Sequence, residues 1–451
     1  MHRWLPLCPE VDNLMKEVGI VYIRWISSQE NVIFLSQKTL EIFKIDFQKV
    51  ILHLGAWKGV LSVKLNEELD ENTIGLPKNL VEPYTIPDTL PYNMYLAGED
   101  LHLGPVIAFF VGEGFLSQKR LGKWETYCRN YSQIKGLIYF CTVQGIDMST
   151  KTISGYYYDP NTEETEKLKP GIFPFPGVVY RRARMDLKTL GFLNKQVDGK
   201  IFNARIFDKW EMWTVLSEAE FTRTPHTVSL NSIDNLKEML DLYQAVYLKP
   251  ATGRFGKGIQ RIEKTPDGYL FKEKIGIGKS CKSLAAVFQL VERYKLNRKY
   301  IIQQAVPFSF QSKAVDFRVI LQKNGSKKWG CSGIIAKVGI SGRIYTNNTT
   351  YVQLGREALQ NIFGLTPEQA LEKENEMIGI CTEACLHIER AYGHFGDVGL
   401  DMVLDENLNV WVLEINKSHQ HNLARYQQED PEMYNRVVSR PLEYAKALAG
   451  F

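Results

Sequence analysis

The chain has 451 residues, of which 44% are hydrophobic and 24% charged, with a formal net charge of +4. That length exceeds the usual single core and calls for two or three domains. So small a charge, with no long basic tract, argues against a nucleic-acid-binding surface but leaves room for a local phosphate site. No window reaches the apolar length of a membrane span, and residues 1–10 lack the apolar core of a signal peptide, so a soluble, cytoplasmic protein is expected.

Residues 1–100 carry short alternating runs, such as Ile20–Trp25 and Val50–Leu54, with few helical periods between them. They read as a small β-rich domain ending in the polar, proline-containing stretch around Pro77 to Glu99. From Pro105 the pattern changes. Val106–Val111 is a fully apolar run of buried-strand length, followed by a helix-permissive segment and then Gly136–Cys141, with another strand at Gly177–Tyr180. This is the strand–helix–strand rhythm of a parallel sheet, which assigns 101–200 to an α/β domain. Within 201–218, Ile206, Trp210, Trp213 and Leu216 lie close to a helical stripe, and Ser232 is placed to cap a helix running to Gln244. Helices are expected at 283–296, 367–392 and 431–447, and strands at 300–305, 315–323 and 329–337. The seven cysteines are scattered and include no CxxC, so they suggest neither a disulfide framework nor a zinc ribbon. Cys381 and Cys385, one helical turn apart, read as small core thiols.

Between Ala245 and Ile262 the chain reads as strand, glycine-rich loop, strand, the loop being Thr252-Gly-Arg-Phe-Gly-Lys-Gly258. A Walker A loop opens a helix and follows its lysine with Ser or Thr, whereas here Gly258 follows Lys257. Gly276-Ile-Gly-Lys-Ser280 has a P-loop tail but Glu273 where the first glycine belongs. What remains is a hairpin lid, in which Gly256, Lys257 and Gly258 can close over phosphates. Lys249, ending the strand that enters the loop, is placed to meet a phosphate as a point charge. Ile301–Val306 is a strand broken at Pro307, where freed backbone groups can bond an adenine edge. Asp316 and Arg318 share one strand face and suit ribose hydroxyls and phosphate; a surface ion pair is the plainer reading.

Near the end, two apolar runs flank Asp405-Glu406-Asn407, the pattern of an antiparallel hairpin. With Glu406-Asn407 as a two-residue turn, Asp405 pairs with Leu408 and Asp401 with Val412. Asp401 then shares a face with Glu414 and Asn416, a set of hard oxygen ligands suited to Mg²⁺. A three-residue loop would turn Asp401 to the opposite face. The alternative is a polar face that simply meets water.

The order of these features resembles the ATP-grasp superfamily over about residues 200–451. Asp208-Lys209 is similar to its Asp-Lys pair, Lys249 to its second phosphate-binding lysine, and Gln303-Gln-Ala-Val306 to its hinge, with Gln304 in place of the more usual Glu. Asp316-Phe-Arg318 is similar to the Asp-Ile-Arg of glutamate-ligating members, and Lys337 and Asn347 to later residues of that branch. Asp401, Glu414 and Asn416 match the magnesium ligands. Upstream, Gly104-Pro-Val-Ile, Ser154-Gly-Tyr-Tyr-Tyr, Phe175-Pro-Gly-Val-Val-Tyr-Arg181 and Phe202-Asn resemble the YheC/YheD-type endospore coat-associated branch.

The resemblance implies an α/β (α+β) chain: a β-rich N-terminal domain (1–100), a parallel-sheet pre-ATP-grasp domain (101–200) and an ATP-grasp module of two subdomains (201–451). It implies ATP and Mg²⁺ as cofactors and a carboxylate–amine (or thiol) ligase acting through an acyl-phosphate on an unidentified carboxylate acceptor. ATP would be held by Lys209, Lys249, Gly256, Lys257, Gly258, Gln304, Val306 and Asp316, the metal by Asp401, Glu414 and Asn416, and the chemistry assisted by Arg318, Lys337 and Asn347. Spore coat proteins are the macromolecular partners it suggests, with the coat as a second location. A nucleotide-binding coat component that does no chemistry is the alternative. Two departures stand out: Arg254-Phe255 in the loop, where small residues are commoner, and Lys417-Ser-His-Gln-His421 where the family often has Pro-Gly. His419 and His421 read as exposed histidines of a polar loop, with a role as bases left open.

Overall fold

A computed structural model describes residues 18–451, apart from 115, 117, 164–165, 254–255, 274–277, 296–297, 308, 311–312, 340–348 and 428. Asn347 and the Arg254-Phe255 departure therefore lie outside the described residues. The chain divides into two compact units, one formed by residues 18–204, 323–328 and 438–451, the other by 205–322 and 329–437. No helix among the described residues is long and apolar enough to cross a membrane.

In the first unit, seven strands between Gly19 and Gly104 close into a barrel, Gly19–Ile26 pairing with both Thr73–Pro77 and Tyr92–Ala97. Alternation drives closure: Val21 and Ile23 point inward and are buried, while Ile20 and Tyr22 are exposed. The stretch around Pro77 to Glu99 is thus not simply the polar end of the domain, since Tyr92–Ala97 is a barrel strand with four buried residues. Next comes a six-stranded sheet centred on Val106–Gly112, which pairs in parallel with Leu137–Asp147 and Val178–Arg181. The parallel core is extended by two antiparallel strands, Thr152–Tyr158 and Leu168–Pro174, making the sheet mixed.

The second unit holds two sheets. One is antiparallel and includes Ala245–Pro250, Gln260–Thr265 and Tyr300–Gln304; helices Ile233–Tyr243 and Leu284–Lys295 cover one face. Ser232 caps the first helix through a capping box with Asn235, as its position before the apolar stripe predicts. Val246, Leu248 and Ile302 enter the core beneath those helices, so Lys249 and Gln303 emerge on the opposite face.

The other sheet runs Thr349–Leu354, Trp329–Gly339, Lys313–Lys323, Asp397–Leu404, Val410–Asn416. Val315, Phe317, Val319 and Leu321 join Val398, Leu400, Met402 and Leu404 in a core shared with helix Pro367–Tyr392. That 26-residue helix contributes Cys381 and Cys385, both buried, as expected of core thiols. With the odd residues of one strand and the even ones of the next committed to the core, Asp316, Arg318, Asp397, Gly399 and Asp401 are left on the other face. The helix expected across 201–218 is shorter, Lys209–Glu218, and buries Met212 and Leu216 while Ile206 stays exposed.

Candidate functional site

The hairpin carrying Asp401 departs from strict alternation twice. Its loop has three residues, Glu406 to Leu408: Asp405 N–H donates to the Asn409 carbonyl at 3.1 Å, and Leu408 takes the left-handed conformation at φ 61°. On its own this loop would turn Asp401 away from Glu414. A β-bulge between Asp401 and Met402 then inserts Leu413, so Met402 pairs with Val412 but Asp401 pairs with Glu414. The two shifts add, moving the partner of Asp401 from the expected Val412 to Glu414 and returning it to the face of Glu414. The two-residue turn expected from sequence is wrong, while Asp401 and Glu414 are direct cross-strand neighbours. The bulge also explains how Val410, Val412 and Ile415 all reach the core while Glu414 does not.

Arg318 is opposite Asp401 on the neighbouring strand, so Arg318, Asp401 and Glu414 form a row across three strands. The guanidinium donates to both carboxylate oxygens, Nε to Oδ1 at 2.8 Å and Nη2 to Oδ2 at 2.9 Å. Lys337 Nζ donates to Oδ1 at 3.3 Å and Asn416 Nδ2 to Oδ2 at 3.0 Å. Lys337 also pairs with Asp316 at 2.6 Å. Burial opposes ionisation of Asp401, but Arg318 and Lys337 beside it hold its carboxyl well below the usual range. Burial likewise disfavours charge on Arg318 and Lys337, and Asp401 and Asp316 more than reverse it, raising both. These shifts hold Asp401, Arg318 and Lys337 in their charged forms.

Lys209 opens its helix directly after the N-cap Asp208, whose carboxylate accepts from Glu211 N–H in a capping box. From there its Nζ donates to Glu414 Oε1 at 2.8 Å and to the Gly253 carbonyl at 3.4 Å, joining the helix start to the glycine loop and the hairpin. Lys249 Nζ donates to Gln303 Oε1 at 2.5 Å. Burial, reinforced by the charge of Lys209, lowers its pKa to about 8 despite the pull of Glu414 and Asp401. In the loop, Gly256 and Gly258 take φ of 66° and 81°, where glycine is favoured, and Lys257 is exposed. A Cβ on Gly258 would meet Pro250 Cγ and Tyr300 Oη, each at 2.9 Å.

Other expectations fit less directly. The Gln304 amide donates to the His226 carbonyl at 2.8 Å and the Ala305 amide to the Ala245 carbonyl at 3.2 Å. The opening expected at the end of that strand thus narrows to Val306, itself buried. The Gln304 side chain accepts from His226 N–H at 3.2 Å. Asp316 is 6% exposed and turned to Lys337. His419 and His421 are not exposed: both are buried against Asp397. Sequence pattern missed this because the partner carboxylate belongs to a strand more than twenty residues earlier.

The residues fit a hard divalent cation with one exchange. Glu414 and Asn416 present oxygen donors on one face, but Asp401 already receives four donors, close to its full lone-pair capacity. It can ligate a cation once Lys337, the longest of these contacts, turns toward an anion. Lys209, Lys249, Arg318 and Lys337 bring positive charge to this face, which suits a polyphosphate.

Residues 198–448 match the family described as YheC/D like ATP-grasp. Endospore coat-associated protein YheD of Bacillus subtilis (strain 168) is 26% identical over 371 residues, 77% of this chain and 79% of that protein. Endospore coat-associated protein YheC of the same strain is 22% identical over 250 residues, 53% of this chain and 67% of that protein. Among solved structures, the VanG D-Ala:D-Ser ligase of Enterococcus faecalis aligns with a TM-score of 0.45 at 13% identity, covering 76% of this chain and 98% of that one.

Proposed function

The chain belongs to the YheC/D-like ATP-grasp family, and from that premise we propose that it is a Mg-ATP-dependent ligase joining a carboxylate to an amine or thiol. The observation that carries this reading is the Arg318–Asp401–Glu414 row, linked through Lys209 to the glycine loop. Lys209 and Lys249 supply charge for phosphate, and the Gly256–Gly258 backbone covers it. Asp401, Glu414 and Asn416 would hold magnesium, which when bound offsets the phosphate charge and orients the transferred group.

As the acceptor carboxylate attacks the γ-phosphorus, the bond to the β-phosphate oxygen breaks and ADP leaves. Arg318 and Lys337 would stabilise the transferring phosphoryl group and the carboxylate that receives it. An amine or thiol then attacks the acyl carbon and displaces inorganic phosphate, losing its proton on the way. The names of the relatives extend the proposal to a place in the spore coat or its assembly.

The test is ADP release from ATP with candidate acids and amines, run alongside a Mg-ATP binding titration. Glu414→Ala and Asp401→Asn should abolish ADP release and weaken Mg-ATP binding. Unchanged Mg-ATP binding in both variants overturns the site. A wild-type chain that binds ATP tightly and releases no ADP with any acceptor overturns the ligase and leaves a nucleotide-binding coat component.

A further inference from the structure

Asp397, His419 and His421 converge in the second unit, two strand steps beyond Asp401 on the same face. Their side chains are 1%, 0% and 2% exposed, which makes a carboxylate and two imidazoles among the most enclosed polar groups of the chain. His419 Nε2 is 3.0 Å from Asp397 Oδ1, and His421 Nε2 is 3.1 Å from Asp397 Oδ2 and 3.2 Å from His419 Nε2. The ring centroids are 4.5 Å apart with the planes at 63°, and one ligand atom from each of the three side chains lies within 4.8 Å of the other two.

We propose that these three side chains form a site for a first-row transition metal, with Zn²⁺ the best fit. Zinc–nitrogen and zinc–oxygen bonds of about 2.0–2.1 Å give a tetrahedron with ligand atoms roughly 3.3 Å apart. Measured on the single oxygen Oδ1, the spacings are 3.0 Å to His419 Nε2, 3.2 Å to His421 Nε2 and 3.2 Å between the two nitrogens, close to that edge. Imidazole nitrogen favours zinc over the magnesium suited to the Asp401 hairpin, so the two sites differ in chemistry.

The surroundings hold the ligands in place. Gln322 Nε2 donates to Asp397 Oδ1 at 2.8 Å and to the Val437 carbonyl at 2.9 Å, two acceptors that settle which end of the amide faces the carboxylate. Ser332 Oγ donates to the other end of that amide at 2.5 Å. Such hydrogen bonds to a ligating carboxylate fix its orientation. Gly399 is the floor for the His419 ring: a Cβ there would meet ring atoms Cγ at 2.8 Å and Nδ1 at 2.9 Å. The loop that departs from Pro-Gly after Asn416 is thereby fastened to the strand bearing Asp401. Zinc here would brace that loop, without touching ATP.

The measurement is metal content of the purified full chain by inductively coupled plasma mass spectrometry, then titration of the chelator-treated protein with ZnCl₂ and with CoCl₂. About one equivalent of zinc per chain is expected, with visible Co²⁺ bands of the intensity that low-coordinate sites give. The zinc should persist in Glu414→Gln and vanish in His419→Ala/His421→Ala. Should that double variant fold poorly, the Co²⁺ spectrum of the unaltered chain decides alone. A chain that purifies without metal and gives no visible Co²⁺ bands overturns the proposal, as does full zinc content in the double variant. Magnesium–ATP binding is read separately, so either site can fail without the other.

Discussion

On the proposed function, Lys249 would couple nucleotide affinity to pH. Burial and the neighbouring Lys209 lower its pKa from 10.5 to about 8. A bound phosphate would restore the charge, so ATP selects the protonated form. With a free-state pKa near 8, the charged fraction falls from about nine-tenths at pH 7 to about one-tenth at pH 9. The ATP dissociation constant should therefore rise about tenfold across that interval. Fold stability should move the other way. Between pH 8 and 10.5 the unfolded chain keeps a proton that the folded chain has lost, so this group makes folding more favourable as pH climbs. Calorimetric ATP titrations at pH 7, 8 and 9, paired with urea unfolding at the same pH values, separate the two effects. Lys417, lowered to about 8 mainly by burial, titrates in the same range and needs a control. Lys249→Arg stays charged throughout and should flatten the affinity profile. If the arginine variant keeps the tenfold loss, or if wild-type affinity is level from pH 7 to 9, the role assigned to Lys249 is wrong.

Further consequences can be measured on the same protein. Asp401→Ala leaves Arg318 and Lys337 partly uncompensated and should cost roughly 3–5 kcal/mol in denaturant unfolding without ligand. Gly258→Ala forces a Cβ onto φ 81° against Pro250 and Tyr300, for about 1–2 kcal/mol of strain and weaker ATP binding by calorimetry. Asp208→Ala removes the capping box under Lys209; a loss of about 1 kcal/mol on thermal unfolding, with a raised ATP dissociation constant, is expected. An unchanged dissociation constant there would mean that Lys209 is positioned without its cap.

Much of the site could be read before any fold was known, because the signals are local. Lys249 closes an apolar strand whose Val246 and Leu248 must go inward, which alone sends the lysine to the open face. Ser232 announces its helix by standing before an apolar stripe. Other residues are defined by distant partners. Lys337 and Asp316 meet across strands, and the burial of His419 and His421 depends on a carboxylate and a glycine in another element. The amides after Gln303 look open in sequence but are bonded to His226 and Ala245, far away in the chain.

The hairpin draws the dividing line most sharply. Its composition alone determined that two apolar strands would pair around a polar turn and carry Asp401, Glu414 and Asn416. Which face each would take was decided by a three-residue loop and an inserted Leu413, two one-residue shifts in the same direction that together restore the face. Strict alternation would drive Glu414 inward beside Val410 and Val412. Burying that charge costs more than a bulge, so the strand slips by one residue and the carboxylate comes out opposite Asp401. That choice belongs to the packed core, where Val412 and Ile415 are both satisfied at once.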